Sequence, residues 1–417
     1  MTVLNKRDPQ LAALIDAERD RQASTLELIA SENHTSRAVI EAMGTCLTDK
    51  YAEGYPGKRW YCGCDKVDAV EQLAIDRCRE LFGVDHANVQ LHSGTSANIA
   101  VFLAALKSGD KIMGLNLAHG GHLSHGYEVN ISGKFYNAVN YGVREDNELL
   151  DMDQIREQAK KEQPAMIMTG ASAYPRQIDF DAFGEIAKEV GAVLVSDIAH
   201  IAGLVAAKEH PDPAPASDYI TTTTHKTLRG PRGGVVMCKE EHAKKLNSAV
   251  FPGIQGGPLM HVIAAKAVAF GECLQPEFKT YIQAVIANAK ALAAALGEKG
   301  WRLVSGGTDN HLLLVDLRSR FEDVTGKDAA GWLADANLVV NKNTVPFETR
   351  SPFKASGIRF GTPGVTTRGL GPDDMSTIAE WVERILTSKG DQAVIETVRG
   401  EVAEMTEKHP VPNSIEG

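Results

Sequence analysis

Short apolar, β-branched segments alternate with helical stretches along most of this chain, and that alternation limits its possible folds more than any other feature. Strands are expected at 88–91, 111–116, 165–169, 192–195, 219–222 and 234–238. Helices are expected between them. At 65–82, Val67, Val70, Leu73, Ala74, Cys78, Leu81 and Phe82 recur at helical spacing. Further helices are expected at 97–106, 152–162 and 183–190. Apolar strands separated by helices imply a mainly parallel sheet covered on both faces. Beyond Cys273 the pattern changes. An Ala-rich helix over 276–300 precedes strands at 311–317 and 357–361 and helices at 327–336 and 373–386. The expected organisation is α/β. It comprises an N-terminal arm (1–30, with Leu11, Leu14 and Ile15 on one helical face), a large domain (31–275) and a smaller C-terminal α/β domain (276–417).

Composition narrows the function classes. A formal net charge of −10 argues against a general nucleic-acid or anionic-membrane surface. No uncharged run approaches the roughly 20 residues that a membrane-spanning helix needs. The opening residues carry neither an apolar core nor a small-residue cleavage site, so no secretory leader is expected. Six cysteines are too sparse for a disulfide framework. Cys62-Gly63-Cys64 offers half a metal site at most, and reduced thiols in a cytoplasmic enzyme are the expected reading.

Chemistry concentrates at a few places. Lys226 follows the β-branched run Thr221–Thr224 and precedes the glycine-rich turn Arg229–Gly233. Alone it reads equally well as a surface lysine at a strand end. Asp197, however, ends another apolar strand, at the edge where open α/β sheets bind ligands. A lysine and a carboxylate so placed are what pyridoxal 5′-phosphate (PLP) chemistry needs: a covalent anchor, and a partner for the pyridine nitrogen. Ser93-Gly94-Thr95 opens a helix and suits a phosphate, although Ser or Thr there also serves as an ordinary N-cap. The run His119–His125 lacks accompanying carboxylates, which favours an imidazole stacked on a flat ring over a metal site. Glu53 lies in an aromatic, glycine-punctuated loop that fits either a site or an interface. Arg359 has apolar neighbours mid-strand and requires an anionic partner, either a ligand carboxylate or an internal Asp or Glu.

The strings Leu28–Asn33, Lys50–Arg59, Leu117–Leu123, Asp197–Ala206, Thr221–Gly234, Gln255–His261, Val340–Asn343 and Gly357–Pro363 resemble the serine hydroxymethyltransferase family. The resemblance implies a fold-type I PLP-dependent transferase of the aspartate aminotransferase-like architecture, built as a homodimer or a dimer of dimers. The implied reaction moves the hydroxymethyl group of L-serine to tetrahydrofolate, giving glycine and 5,10-methylenetetrahydrofolate. By position, Lys226 resembles the covalent anchor, Asp197 the pyridine-nitrogen partner and His122 the stacked imidazole. Ser172 and His200 match groups near the phenolic oxygen, and Ser93, Gly94, Thr95 and His225 match the phosphate cup. Tyr51, Gly256 and Gly257 match groups supplied by the second subunit. Ser31 and Arg359 resemble the pair holding the amino-acid carboxylate. Glu53 resembles the acid–base group, Tyr61 the aromatic beside the site and Thr223 the threonine near the lysine. Leu117, Gly121, Leu123 and Asn343 match folate-contacting positions. No metal is implied.

Trp60, Cys62, Leu91 and Ile254 depart from the family's usual residues at their positions. They keep open an α-methylserine hydroxymethyltransferase or a threonine-type aldolase or transaldolase on the same scaffold. A non-catalytic PLP-binding protein would not require Glu53 beside Lys226, Asp197 and Arg359. A nucleotide oxidoreductase lacks its GxGxxG fingerprint.

Overall fold

The apolar segments assemble into a seven-stranded sheet. Its strands in chain order are β1 (His86–Asn88), β2 (Lys111–Leu115), β3 (Asn137–Tyr141), β4 (Met166–Thr169), β5 (Val193–Asp197), β6 (Tyr219–Thr223) and β7 (Gly234–Cys238). Their spatial order is β1-β7-β6-β5-β4-β2-β3. β7 runs antiparallel to both its neighbours, and the other pairings are parallel. The computed structural model describes residues 3–412. Met1 and Thr2 of the expected arm and residues 413–417 of the expected C-terminal domain lie outside the described residues.

Strands β4, β6 and β7 are buried along their whole length, as expected for a sheet with both faces covered. Two helices matter for the site: α1 (Asp65–Phe82) and α2 (Gly94–Ala105). The helix over 65–82 forms as its periodicity predicts, and Gly83 closes it in the left-handed conformation at φ 65°.

Three features differ from the sequence expectation. The strand expected at 88–91 is β1, and it ends at Asn88. Beyond it the carbonyls of Val89 and Leu91 accept hydrogen bonds from the Lys266 ammonium, and that of Gln90 accepts from Gln255. β3 was not expected, because its sequence Asn-Ala-Val-Asn-Tyr is that of a partly exposed sheet edge. Helix α3 (Met260–Cys273) is buried on nearly every side and so shows no amphipathic period; it packs on α1 and on the helix Arg37–Met43.

Helix α4 (Pro276–Glu298) leads to a four-stranded sheet. Its strands are β8 (Arg302–Leu303), β9 (Leu312–Asp316), β10 (Asn341–Asn343) and β11 (Gly357–Gly361), in spatial order β8-β9-β11-β10 and all antiparallel. Helices Gly326–Asp335, Pro372–Thr387 and Gln392–Lys408 complete this part. Leu26–Glu27 pairs in parallel with Leu338–Val339, and Leu26 and Leu28 join the apolar core around Phe360 and Ile378. The preceding helix, Pro9–Ser24, buries only Ala12 and leaves Leu11, Leu14 and Ile15 exposed. No helix of the described residues is long and apolar enough to cross a membrane.

Candidate active site

Parallel pairing of β5 with β6 sets the centre of the site. Asp197 lies opposite Thr221 in the register, so the ends of both strands open at the same sheet edge. The chain leaves β6 through Thr224 and His225 to Lys226, whose carbonyl accepts a hydrogen bond from Asn33 Nδ2 at 3.0 Å. Asp197 and Lys226 line one cavity of about 450 Å³. Burial lowers the Lys226 pKa to about 8; Asp197 opposes this, while Arg359 and Arg232 reinforce it. About a tenth of this amine is therefore neutral, and nucleophilic, at pH 7, far more than for an exposed lysine.

Asp197 stays ionised. Burial alone would raise its pKa, but the hydrogen bond from His125, the nearby imidazoles and Asn98 together hold it below the usual carboxylate range. Its Oδ2 accepts from His125 Nε2 at 3.0 Å and from Asn98 Nδ2 at 2.9 Å, and its Oδ1 accepts from the Ala199 amide at 3.1 Å. Donor atoms of His122, His125 and Asp197 lie within 4.8 Å of one another, a spacing open to a metal. Hydrogen bonds within the chain account for the grouping: His125 engages Asp197, and His122 Nδ1 lies 2.6 Å from Ser124 Oγ.

Ser93, Gly94 and Thr95 line the cavity at the N-terminus of α2, with His225 and Arg232. Ser93 is also the N-cap, in a capping box with Ser96. Close packing requires glycine here: a Cβ on Gly94 would stand 2.8 Å from Thr223 Cγ2, and one on Gly234 only 2.2 Å from Ser93 O. Burial, then Arg232 and Lys226, brings the His225 pKa down to about 3. Its Nδ1 accepts from the Gly233 amide at 3.4 Å, which assigns the proton to Nε2.

Arg359, at the centre of β11, reaches the same cavity and is 7% exposed. Its Nη1 donates to Ser172 O at 2.6 Å and its Nε to Asn341 Oδ1 at 3.1 Å. No carboxylate pairs with it among the described residues, so the internal-bridge alternative fails. Burial lowers its pKa to about 10. Ser31 lines the cavity beside it, as do Ser172, Thr223 and His200. The His200 ring stacks on His311, and its pKa lies well below the usual imidazole value, first through burial and then through Lys226 and Arg359.

A second cavity, of about 820 Å³, shares His122 and His125 with the first. Leu117 and Asn343 line it. Burial, then His125, lowers the His122 pKa to about 4, so this shared wall carries a neutral imidazole. Gly121 does not line either cavity, but a Cβ there would stand 2.0 Å from Leu115 O, so the loop closes only with glycine. Leu123 is 46% exposed and also lies off both walls.

Tyr51, Glu53, Tyr61, Gly256 and Gly257 reach neither cavity of their own chain. They gather elsewhere: the Tyr51 and Tyr61 rings are 5.2 Å apart, and a Cβ on Gly257 would stand 2.9 Å from the Tyr51 ring. One on Gly256 would stand 3.2 Å from Glu53 Oε1. Trp60, 76% exposed, lies beside this cluster against Phe251, and Cys62 is exposed. Leu91 and Ile254 pack in an apolar cluster with Phe102 and Val250.

His125, Asn98 and Arg232 were not singled out from the sequence. Asn98 carried a usable signal, a lone amide within the apolar run of α2. His125 lay in the recognised histidine–glycine run and Arg232 in the recognised turn, but spacing alone did not separate them from their neighbours.

The family model for serine hydroxymethyltransferase matches residues 4–382 of the 417-residue chain. The chain belongs to this family of PLP-dependent transferases of fold type I.

Proposed function

From that membership, we propose that the chain transfers the hydroxymethyl group of L-serine to tetrahydrofolate, with PLP anchored on Lys226. One observation carries the reading: a buried lysine with its pKa near 8, an ionised Asp197 and an Arg359 with no carboxylate partner among the described residues meet in one cavity. The donor set fits the cofactor. Ser93, Gly94, Thr95, His225 and Arg232 suit its phosphate, Asp197 its ring nitrogen, His122 its ring face, and Ser172 and His200 its phenolic oxygen. When bound, PLP supplies an electron sink for the pair left at the substrate Cα.

The remaining work falls to side chains. Arg359 and Ser31 hold the amino-acid carboxylate, which fixes the bond to be broken relative to the ring plane. Lys226 would hold the cofactor through its amine and would be released when the substrate amine takes its place. Glu53 handles the proton at the substrate hydroxyl, with Tyr61 as the aromatic beside the site, and we propose that both come from a second copy of the chain, as do Tyr51, Gly256 and Gly257. Their exclusion from both cavities of their own chain supports a homodimer, as do the exposed Leu11, Leu14, Ile15 and Trp60. The second cavity is proposed for tetrahydrofolate, with Leu117 and Asn343 on its wall and Gly121 and Leu123 on the loop beside it.

Of the departures, Leu91 and Ile254 pack in an apolar cluster off the cavity walls, while Trp60 and Cys62 lie in the loop that carries Glu53 and Tyr61, so turnover is what separates serine from α-methylserine. We also propose the division into arm (1–30), large domain (31–275) and small domain (276–417), supported by one apolar core on the seven-stranded sheet and another on the four-stranded sheet; Leu26 and Leu28 of the arm join the second, and Phe278 and Ile282 at the start of α4 join the first. A cytoplasmic address is supported by six free cysteines. The test compares L-serine, α-methylserine and L-threonine with and without tetrahydrofolate. Folate-dependent turnover of serine above the others supports the reading. Folate-independent cleavage of threonine as the dominant activity would replace it with an aldolase.

A further inference from the structure

Lys266 lies on α3, outside the cavity, and is 1% exposed. Its Nζ donates to three backbone carbonyls: Val89 at 2.6 Å, Leu91 at 2.9 Å and Gly234 at 2.9 Å. No carboxylate pairs with it among the described residues. Burial pulls its pKa down to about 7, against the opposing pull of Cys78 and Glu71. Three acceptors nevertheless call for three donated hydrogens, which only the ammonium possesses. A buried cation without an ion partner is costly, and an apolar side chain of similar length would fill the same space. Its presence therefore points to what it holds.

The three carbonyls belong to two segments that meet at the cavity. Val89 and Leu91 lie on the stretch that leads into Ser93, Gly94 and Thr95. Gly234 starts β7, directly after Arg232 and after Gly233, whose amide orients His225. The segments are in backbone contact, since the Gly234 amide donates to Leu91 O at 2.9 Å and a Cβ on Gly234 would collide with Ser93 O. Gly233 admits the lysine: a Cβ there would stand 2.5 Å from Lys266 Cε. We propose that Lys266 is a positioning residue for the phosphate cup, fixing the two segments at the separation at which Ser93, Gly94, Thr95, His225 and Arg232 face one anion. This rests on the reading that the cavity takes PLP.

The test is cofactor binding by the apoprotein, followed by the absorbance change on attachment, with PLP and with pyridoxal, which lacks the phosphate. Lys266→Met removes every donor, and Lys266→Gln keeps two uncharged N–H groups. Lys266→Met is expected to weaken PLP binding about tenfold or more while pyridoxal changes less than about twofold, with Lys266→Gln in between. A general packing role would weaken both aldehydes alike. Equal losses for the two, or an unchanged affinity for PLP, would overturn the proposal. If Lys266→Met does not fold, Lys266→Gln is read in its place. Failure of both to fold also overturns it, because the role assigned is local. Failure of the unsubstituted protein to attach PLP would instead refute the functional reading beneath it.

Discussion

Replacing Arg359 by alanine tests the carboxylate site in quantitative terms. Of the five N–H groups on a guanidinium, one is given to Ser172 O and one to Asn341 Oδ1. Three remain, enough to grip a carboxylate with two parallel hydrogen bonds. Hydrogen bonds to charged groups contribute about 1.5–3 kcal/mol each. Losing two therefore costs about 3–6 kcal/mol, or roughly 10²- to 10⁴-fold in affinity for serine. The assay is a titration of the holoenzyme with L-serine and glycine, followed by the cofactor absorbance, beside ethanolamine as a ligand without a carboxylate. Arg359→Ala is expected to bind the amino acids and ethanolamine alike, with PLP affinity nearly unchanged. The substitution is not expected to destabilise the protein. Because burial brings the guanidinium pKa to about 10, below its unfolded value, the charged form is disfavoured in the fold at neutral pH. That penalty is on the order of 3 kcal/mol, and it lapses only as pH rises through the folded value. An Arg359→Ala enzyme that binds serine within about threefold of the original would refute the assignment, since no bidentate contact could be so weak.

Attachment of PLP to the apoprotein should accelerate as pH rises through about 8, because burial disfavours the Lys226 ammonium and deprotonation exposes the nucleophilic amine. Asp197→Asn removes a charge that favours the ammonium and should move that midpoint lower; a midpoint typical of exposed lysines would contradict the burial argument. Lys226→Ala is expected to abolish turnover, and full activity in that variant would sink the assignment. Glu71→Ala breaks a buried pair, since Arg59 donates to Glu71 at 2.6 Å and to Asp68 at 2.7 Å. A stability loss of about 3 kcal/mol is expected from denaturant unfolding, and an unchanged midpoint would show that Asp68 alone satisfies the arginine.

Much of the sheet was legible because strands buried on both faces read as short apolar or β-branched runs, as at β4, β5, β6 and β7. α1 was legible because one of its faces meets solvent. α3 and β3 were not, the first being buried nearly all round and the second being a mixed-polarity edge. The same physics governs the site. Lys226, Asp197 and Arg359 stand out as charges amid apolar strands, and the structure brings all three to one cavity. His125 and Asn98 act through Asp197 from distant segments, a relation that local pattern does not carry. Lys266 was hidden for a related reason: the carbonyls it binds are 175 and 177 residues away in one segment and 32 in the other. Tyr51, Glu53 and Tyr61 belong with the site only through the resemblance, since within one chain they form their own cluster.

Two buried lysines with lowered pKa values lie in this part of the molecule, and only one faces the cavity. Reductive trapping with borohydride after incubation with PLP, followed by peptide mapping, decides between them. The cofactor mass is expected on the peptide carrying Lys226, with none on that carrying Lys266. Label on Lys266, or no stoichiometric label at all, would contradict it.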